Sequence, residues 1–166
     1  MSFLQTAPGD EPILVEGVFD APPDRVFNAW TEPSEVERWF GHPPGRLVAA
    51  EIDLRVGGSW RFLLSRSDVE SDYFGGEYLH IVRGALLVFT WRHVTESSSG
   101  RREATPASQV TVTFEAEDGG RTRLHLRHEG IQSDDARRMV GGGWEAAIGG
   151  LAEWLRRNEV APDVAG

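Results

Sequence analysis

The side chains able to move protons in this chain are few, and their spacing limits what each could do. His128 falls in register with Leu124 and Leu126 in the alternating stretch RTRLHLRHEG, so it points inward with them, and Glu129 follows it. Two readings stand for it: a buried histidine hydrogen-bonded into the structure, or a polar anchor or acid–base group at the wide end of a cavity. Glu77 and Tyr78 are adjacent in FGGEY and face opposite ways on a strand, so only one of them can line an interior. A lone inward glutamate would be costly without an arginine. Arg61, in the opposite register from Trp60, is the expected partner for Glu77 on the outer face. His128, Glu77 and Tyr78 are thus the acid–base candidates, and they act together only if two of them converge on one point. His42, in the rigid Gly41-His42-Pro43-Pro44-Gly45 loop, belongs to an entrance or to plain surface.

Other chemistries are excluded by what is absent. His125 and His128 are three apart and face opposite ways, and no H-E-x-x-H spacing occurs, so no metal site is expected. Ser65, Ser67 and Thr90 sit in no G-x-S-x-G elbow. The chain has no cysteine, which removes thiol nucleophiles, disulfides and thiolate metal sites. All 17 basic residues are arginine, which removes Schiff-base and Walker-type lysine chemistry; genomic base composition accounts for the bias. No cofactor is expected.

A formal charge of -9 argues against nucleic acid as a partner, because phosphate binding needs a basic face. No apolar run approaches the roughly 20 residues of a membrane span. The start, MSFLQTAPGDEP, has neither the basic region nor the apolar core of a signal peptide. Residues 12–158 are expected to form a single domain in a cytoplasmic protein, with flexible termini at 1–11 and 159–166. A homodimer is left open.

The elements that would position these residues follow from periodicity. Pro12–Ala21 reads as a strand whose inward set is Leu14, Glu16 and Val18 or, alternately, Ile13, Val15 and Phe19, with a Gly17 kink. Pro22-Pro23-Asp24 opens a short helix, and Glu32-Pro33-Ser34 opens a second. Strands follow over 46–55, 59–65, 73–82 and 86–94, the last two a hairpin around Arg83-Gly84-Ala85. The polar stretch 96–107 reads as a mobile loop. Val110, Val112 and Phe114 alternate with polar residues, and Asp118-Gly119-Gly120 turns into the strand that carries His128.

Residues 133–158 then read as one long helix of about 37 Å, with Asp134 and Asp135 at its start and Arg156 and Arg157 at its end complementing its dipole. Val140, Trp144, Ala147, Ile148, Leu151 and Leu155 give it one apolar face. Five glycines (Gly141, Gly142, Gly143, Gly149, Gly150) interrupt it, at roughly 1 kcal/mol each against alanine. They either leave room beside a cavity or let the backbone approach the sheet. An α+β fold follows: a curved antiparallel sheet of about six to seven strands, with its apolar face covered by the only helix long enough to do so.

In order, VFNAWTEPSEVERWF, DLRVGGSWRF, FGGEYLHIV, LLVFTW, VTVTFE, GRTRLHLRHEG and GGGWEAAIGGLAEWL resemble the START-like, or SRPBCC, superfamily with its helix-grip fold. The chain is most similar to the branch related to the activator of heat-shock-protein-90 ATPase, over about 13–155. That resemblance implies a cavity between helix and sheet that holds a small hydrophobic or amphipathic molecule, for transport, sensing or sequestration. Trp30, Trp39, Trp60, Phe62, Phe89, Trp91, Phe114, Trp144 and Ile148 are the expected lining, with plain core packing as the competing account of the aromatics. An enzyme of the polyketide cyclase or dehydratase type is the second expectation. A chaperone or stress-response partner is the third, although the extra domain of the chaperone activator has no counterpart here.

Overall fold

The computed structural model describes residues 3–7, 9–40 and 47–157. Strand β1 (Ile13–Phe19) leads into helices α1 (Pro23–Thr31) and α2 (Pro33–Trp39), each with proline in its first turn, where the missing N–H costs nothing. Strands β2 (Ala49–Ile52), β3 (Ser59–Arg66), β4 (Glu70–Val82), β5 (Leu86–Ser97), β6 (Arg102–Ala104), β7 (Ser108–Glu117) and β8 (Arg121–Glu129) follow, and α3 (Asp134–Arg157) closes the chain. The strands form one antiparallel sheet in the order β1-β8-β7-β5-β4-β3-β2, with β6 paired to β5 off that path. Pairing of the first strand with the last puts β1 at one edge of the sheet, and β2 forms the other. This is the helix-grip arrangement expected from the sequence, with one more strand: three residues of the anticipated 96–107 loop pair with Val94, Thr95 and Glu96.

Alternation decides which face of each strand meets α3. Ile13, Val15 and Phe19 are the buried set of β1, while Val18 is exposed, so the second of the two registers for that strand holds. Val110, Val112 and Phe114 of β7 and Leu124, Leu126 and His128 of β8 lie on the same inner face. Against them α3 buries Gly141, Trp144, Ala147, Ile148, Leu151 and Leu155. Its first turn is capped by Ser133, whose Oγ accepts the Ala136 N–H at 3.2 Å.

Residues 3–7 are not the loose end that the sequence suggested. The Phe3 and Leu4 N–H groups donate to the Glu145 carboxylate, and Leu4 bridges to Val15. The Phe3 ring stacks on Phe19 with centroids 6.1 Å apart. Gly17 makes that possible: a Cβ there would stand 2.8 Å from the Phe3 ring.

The glycines of α3 divide by helix phase. Gly150 is a close-approach position, where a Cβ would lie 2.6 Å from the Trp39 carbonyl oxygen. Gly142 and Gly143 are exposed, with nothing within 4 Å of an added Cβ. They do not open room at a cavity end, because they face away from the sheet.

Candidate functional site

Between α3 and the sheet lies a continuous aromatic cluster. Trp60 and Phe62 come from β3, Phe74 and Tyr78 from β4, Phe89 and Trp91 from β5, and Phe114 from β7. Trp30, Trp39 and Phe40 come from the two short helices and Trp144 from α3. Each of the nine residues expected to line a cavity is buried, Ile148 of α3 completely. The rings meet one another: Trp91 lies 4.4 Å from Phe74, 5.2 Å from Trp144 and 5.4 Å from Trp60, and Trp30 lies 5.0 Å from Trp39. Such separations are those of ring contacts. Room for a guest on this face therefore requires rings to part.

A chain of hydrogen bonds runs through polar side chains at the edge of the cluster. The Trp144 indole N–H donates to His128 Nδ1 at 3.0 Å, and His128 Nε2 stands 2.7 Å from Ser108 Oγ. An indole nitrogen only donates, so Nδ1 must be the acceptor and Nε2 must carry the proton. Nε2–H then donates to Ser108 Oγ, whose hydroxyl donates to the Trp91 carbonyl at 3.3 Å. Every hydrogen of this chain is placed, and a second proton on His128 would face the Trp144 N–H. Burial pushes the His128 pKa down to about 3 in the same direction. This histidine ties α3 to β7 and β8; at neutral pH it holds its proton in place and is no acid.

Four of the chain's six indole N–H groups have protein acceptors: Trp39 donates to the Ala29 carbonyl, Trp60 to the Thr90 carbonyl, Trp144 to His128 and Trp154 to Glu35. Trp30 Nε1 is different. It is buried at the centre of the cluster, beside Trp39, Phe114 and Trp144, and has no hydrogen-bond partner. An unpaired buried donor carries a desolvation penalty of about 1–3 kcal/mol. It is the one side-chain nitrogen or oxygen of this kind among the described residues.

The other acid–base candidates are not gathered with His128. Glu77 is exposed on the outer face, and Tyr78 is buried on the inner face, where burial raises its pKa above the usual phenol range. Arg61 does not pair with Glu77. It bonds Glu51 at 3.0 Å, its direct cross-strand neighbour on β2, and lies over the Tyr73 ring. His125 faces outward between Glu16 and Glu115, at 3.3 and 3.4 Å. His42 lies outside the described residues.

Two features escaped the sequence reading. At one end of the inner face, His93 Nε2 meets Asp72 Oδ1 at 2.6 Å, and Thr95 Oγ1 donates to that same oxygen at 3.0 Å. On the opposite face of the sheet, a groove of about 510 Å³ is lined by Glu51, Asp53, Arg61, Tyr73, Arg92 and Arg102, among others.

Comparison with known proteins gives the family. The family described as Activator of Hsp90 ATPase homolog 1-like protein matches residues 20–156, and the chain belongs to it. No curated protein matches the sequence. Among solved structures the chain is similar to protein CV1439 from Chromobacterium violaceum, with 27% identity, a TM-score of 0.66, and 87% of this chain and 96% of that one covered. It is similar to CalU16 from Micromonospora echinospora, with 27% identity, a TM-score of 0.60, and 92% and 82% covered. It is also similar to DynU16, a protein in the dynemicin biosynthetic locus, with 26% identity and a TM-score of 0.64; there it spans 89% of its own length but 48% of the other chain.

Proposed function

We propose that this member of the Activator of Hsp90 ATPase homolog 1-like family binds a small, largely aromatic molecule between α3 and the inner face of the sheet, and that an acceptor on that molecule takes the Trp30 N–H. The observation that carries this reading is the orphaned donor. In the same cluster the Trp39, Trp60 and Trp144 indoles each find a protein acceptor, whereas the fully buried Trp30 Nε1 has none. The surrounding rings offer stacking faces to a flat guest. The similarity to DynU16, a protein in the dynemicin biosynthetic locus, is in keeping with a small-molecule role.

Binding is favoured over the cyclase or dehydratase reading as first drawn, because its three residues are dispersed: His128 is locked, Tyr78 is buried without either of the others, and Glu77 faces solvent. A partner-protein role is less well supported. Of the large exposed hydrophobics, Val48, Val56 and Val69 lie in three different connecting segments and Met139 on α3. No helix among the described residues is long and apolar enough to cross a membrane. A cytoplasmic carrier or sensor, acting alone or as a homodimer, fits these features.

Native mass spectrometry of the purified protein, followed by thermal shift against aromatic ketones, polyketides, steroids and fatty acids, tests the reading. A ligand at 100 times its Kd stabilises by about 2.7 kcal/mol, which raises the Tm by several degrees. No co-purified mass and no shift with any panel member would remove the proposal.

A further inference from the structure

We propose that Asp72 and His93 form a proton-abstracting pair at the rim of the inner face, with His93 Nδ1 as the base and a planar aromatic substrate held against Phe74 and Trp91. Strand register builds the pair. Phe74 opposes His93 and Asp72 opposes Thr95 across β4 and β5, so all four share the face that carries the aromatic cluster. The Phe74 ring lies 5.5 Å from the His93 ring and 4.4 Å from Trp91, which makes the imidazole continuous with the stacking surface.

A carboxylate can only accept, so the 2.6 Å contact places the His93 proton on Nε2 and leaves Nδ1 with a free lone pair. Nδ1 has no hydrogen-bond partner among the described residues. Thr95 fixes the carboxylate from the other side. The strand itself is held by Thr105, just after β6: the His93 N–H donates to Thr105 Oγ1 at 2.9 Å and the Thr105 N–H returns to the His93 carbonyl at 3.0 Å. The two side chains keep 40% and 31% exposure, open enough for a substrate atom to reach the ring. The other described histidines are used otherwise: His128 has both nitrogens bonded, His125 sits between two glutamates on the outer face, and His80 is exposed past the bulge in β4.

The inference rests on the inner face receiving an aromatic guest, so its test reads binding and turnover separately. The probe is 5-nitrobenzisoxazole. Its C3–H bond breaks as the proton passes to His93 Nδ1, the electron pair completes the nitrile, and the N–O bond cleaves to leave a coloured phenolate; nothing else is consumed. A positioned base contributes about 10²–10⁴-fold, so the protein should exceed free imidazole at matched concentration by at least about 10²-fold. His93→Gln should abolish the excess yet keep the tryptophan quenching that reports bound probe. Asp72→Asn, the positioning residue, should lower kcat with KM unchanged, and Asp72→Glu should restore part of the loss. A protein that binds the probe but matches free imidazole, or a His93→Gln variant that keeps its rate, overturns the pair and leaves the binding reading standing. No quenching in the unaltered protein overturns both.

Discussion

Replacing Trp30 by phenylalanine separates the contribution of the ring from the cost of its unpaired N–H. The smaller ring leaves a void on the order of 40 Å³, worth roughly 1 kcal/mol at about 24 cal/mol per Å³. Deleting an unpaired buried donor returns about 1–3 kcal/mol. For Trp30→Phe the two terms oppose, and the ligand-free protein should be unchanged or more stable by up to about 2 kcal/mol. Trp144→Phe is the control. It opens a similar void and also strips His128 Nδ1 of its donor, so both terms destabilise, by about 2–4 kcal/mol together. Trp39→Phe, which leaves the Ala29 carbonyl without its donor, should behave like Trp144→Phe. Urea unfolding of protein refolded free of any co-purified ligand measures all three. Equal losses for Trp30→Phe and Trp144→Phe would refute the argument, because the Trp30 N–H would then be paired in solution.

Other expectations concern the histidine, the helix glycines and the rim pair. His128 is held neutral down to about 3, while an unfolded histidine takes its proton near 6.5. Its contribution is therefore complete above about pH 6.5 and is lost as pH falls from there towards 3, at up to about 1.4 kcal/mol per pH unit. Urea unfolding between pH 7 and 4 should show a slope that His128→Gln flattens; identical slopes would place the proton elsewhere. Gly142→Ala, on the exposed side of α3, should stabilise by about 1 kcal/mol. Gly150→Ala should destabilise, because its Cβ would meet the Trp39 carbonyl oxygen at 2.6 Å; thermal melts of the two variants should move in opposite directions. At the rim, His93→Gln and Asp72→Asn should each change stability by less than about 1 kcal/mol, as expected for an exposed pair, so any loss of probe turnover is not a loss of fold.

Alternation and helical spacing carry the parts of this fold that depend on one segment at a time. The register of His128 with Leu124 and Leu126, and the face of α3 through Trp144, Ile148 and Leu155, are legible from spacing alone. The same spacing, followed strictly, puts Gly141 on that face and leaves Gly142 and Gly143 off it, so the expectation that these two make room was avoidable. What spacing cannot carry is pairing between distant elements. The acceptor for the Trp144 indole lies on another element, and that bond decides the tautomer and removes His128 as an acid. The Asp72–His93 pair was hidden for a different reason. A register shift between Tyr78 and His80 moves the rest of β4 by one residue; counted straight from the turn at Gly84, Phe74 would oppose Val94 rather than His93. Arg61 shows a third limit, since its partner Glu51 lies on a strand whose register the sequence left open.

The claim that the inner face receives an aromatic guest through Trp30 is tested most directly by the indole region of a nitrogen–proton correlation spectrum. The chain should give six indole signals, and the one missing from Trp30→Phe belongs to Trp30. Titration with flavone, an aromatic ketone, should move that signal downfield as its N–H gains an acceptor, with smaller ring-current shifts at Trp39 and Trp144. A Trp30 signal that stays fixed while flavone binds elsewhere, or while no member of the ligand panel binds at all, would contradict the account.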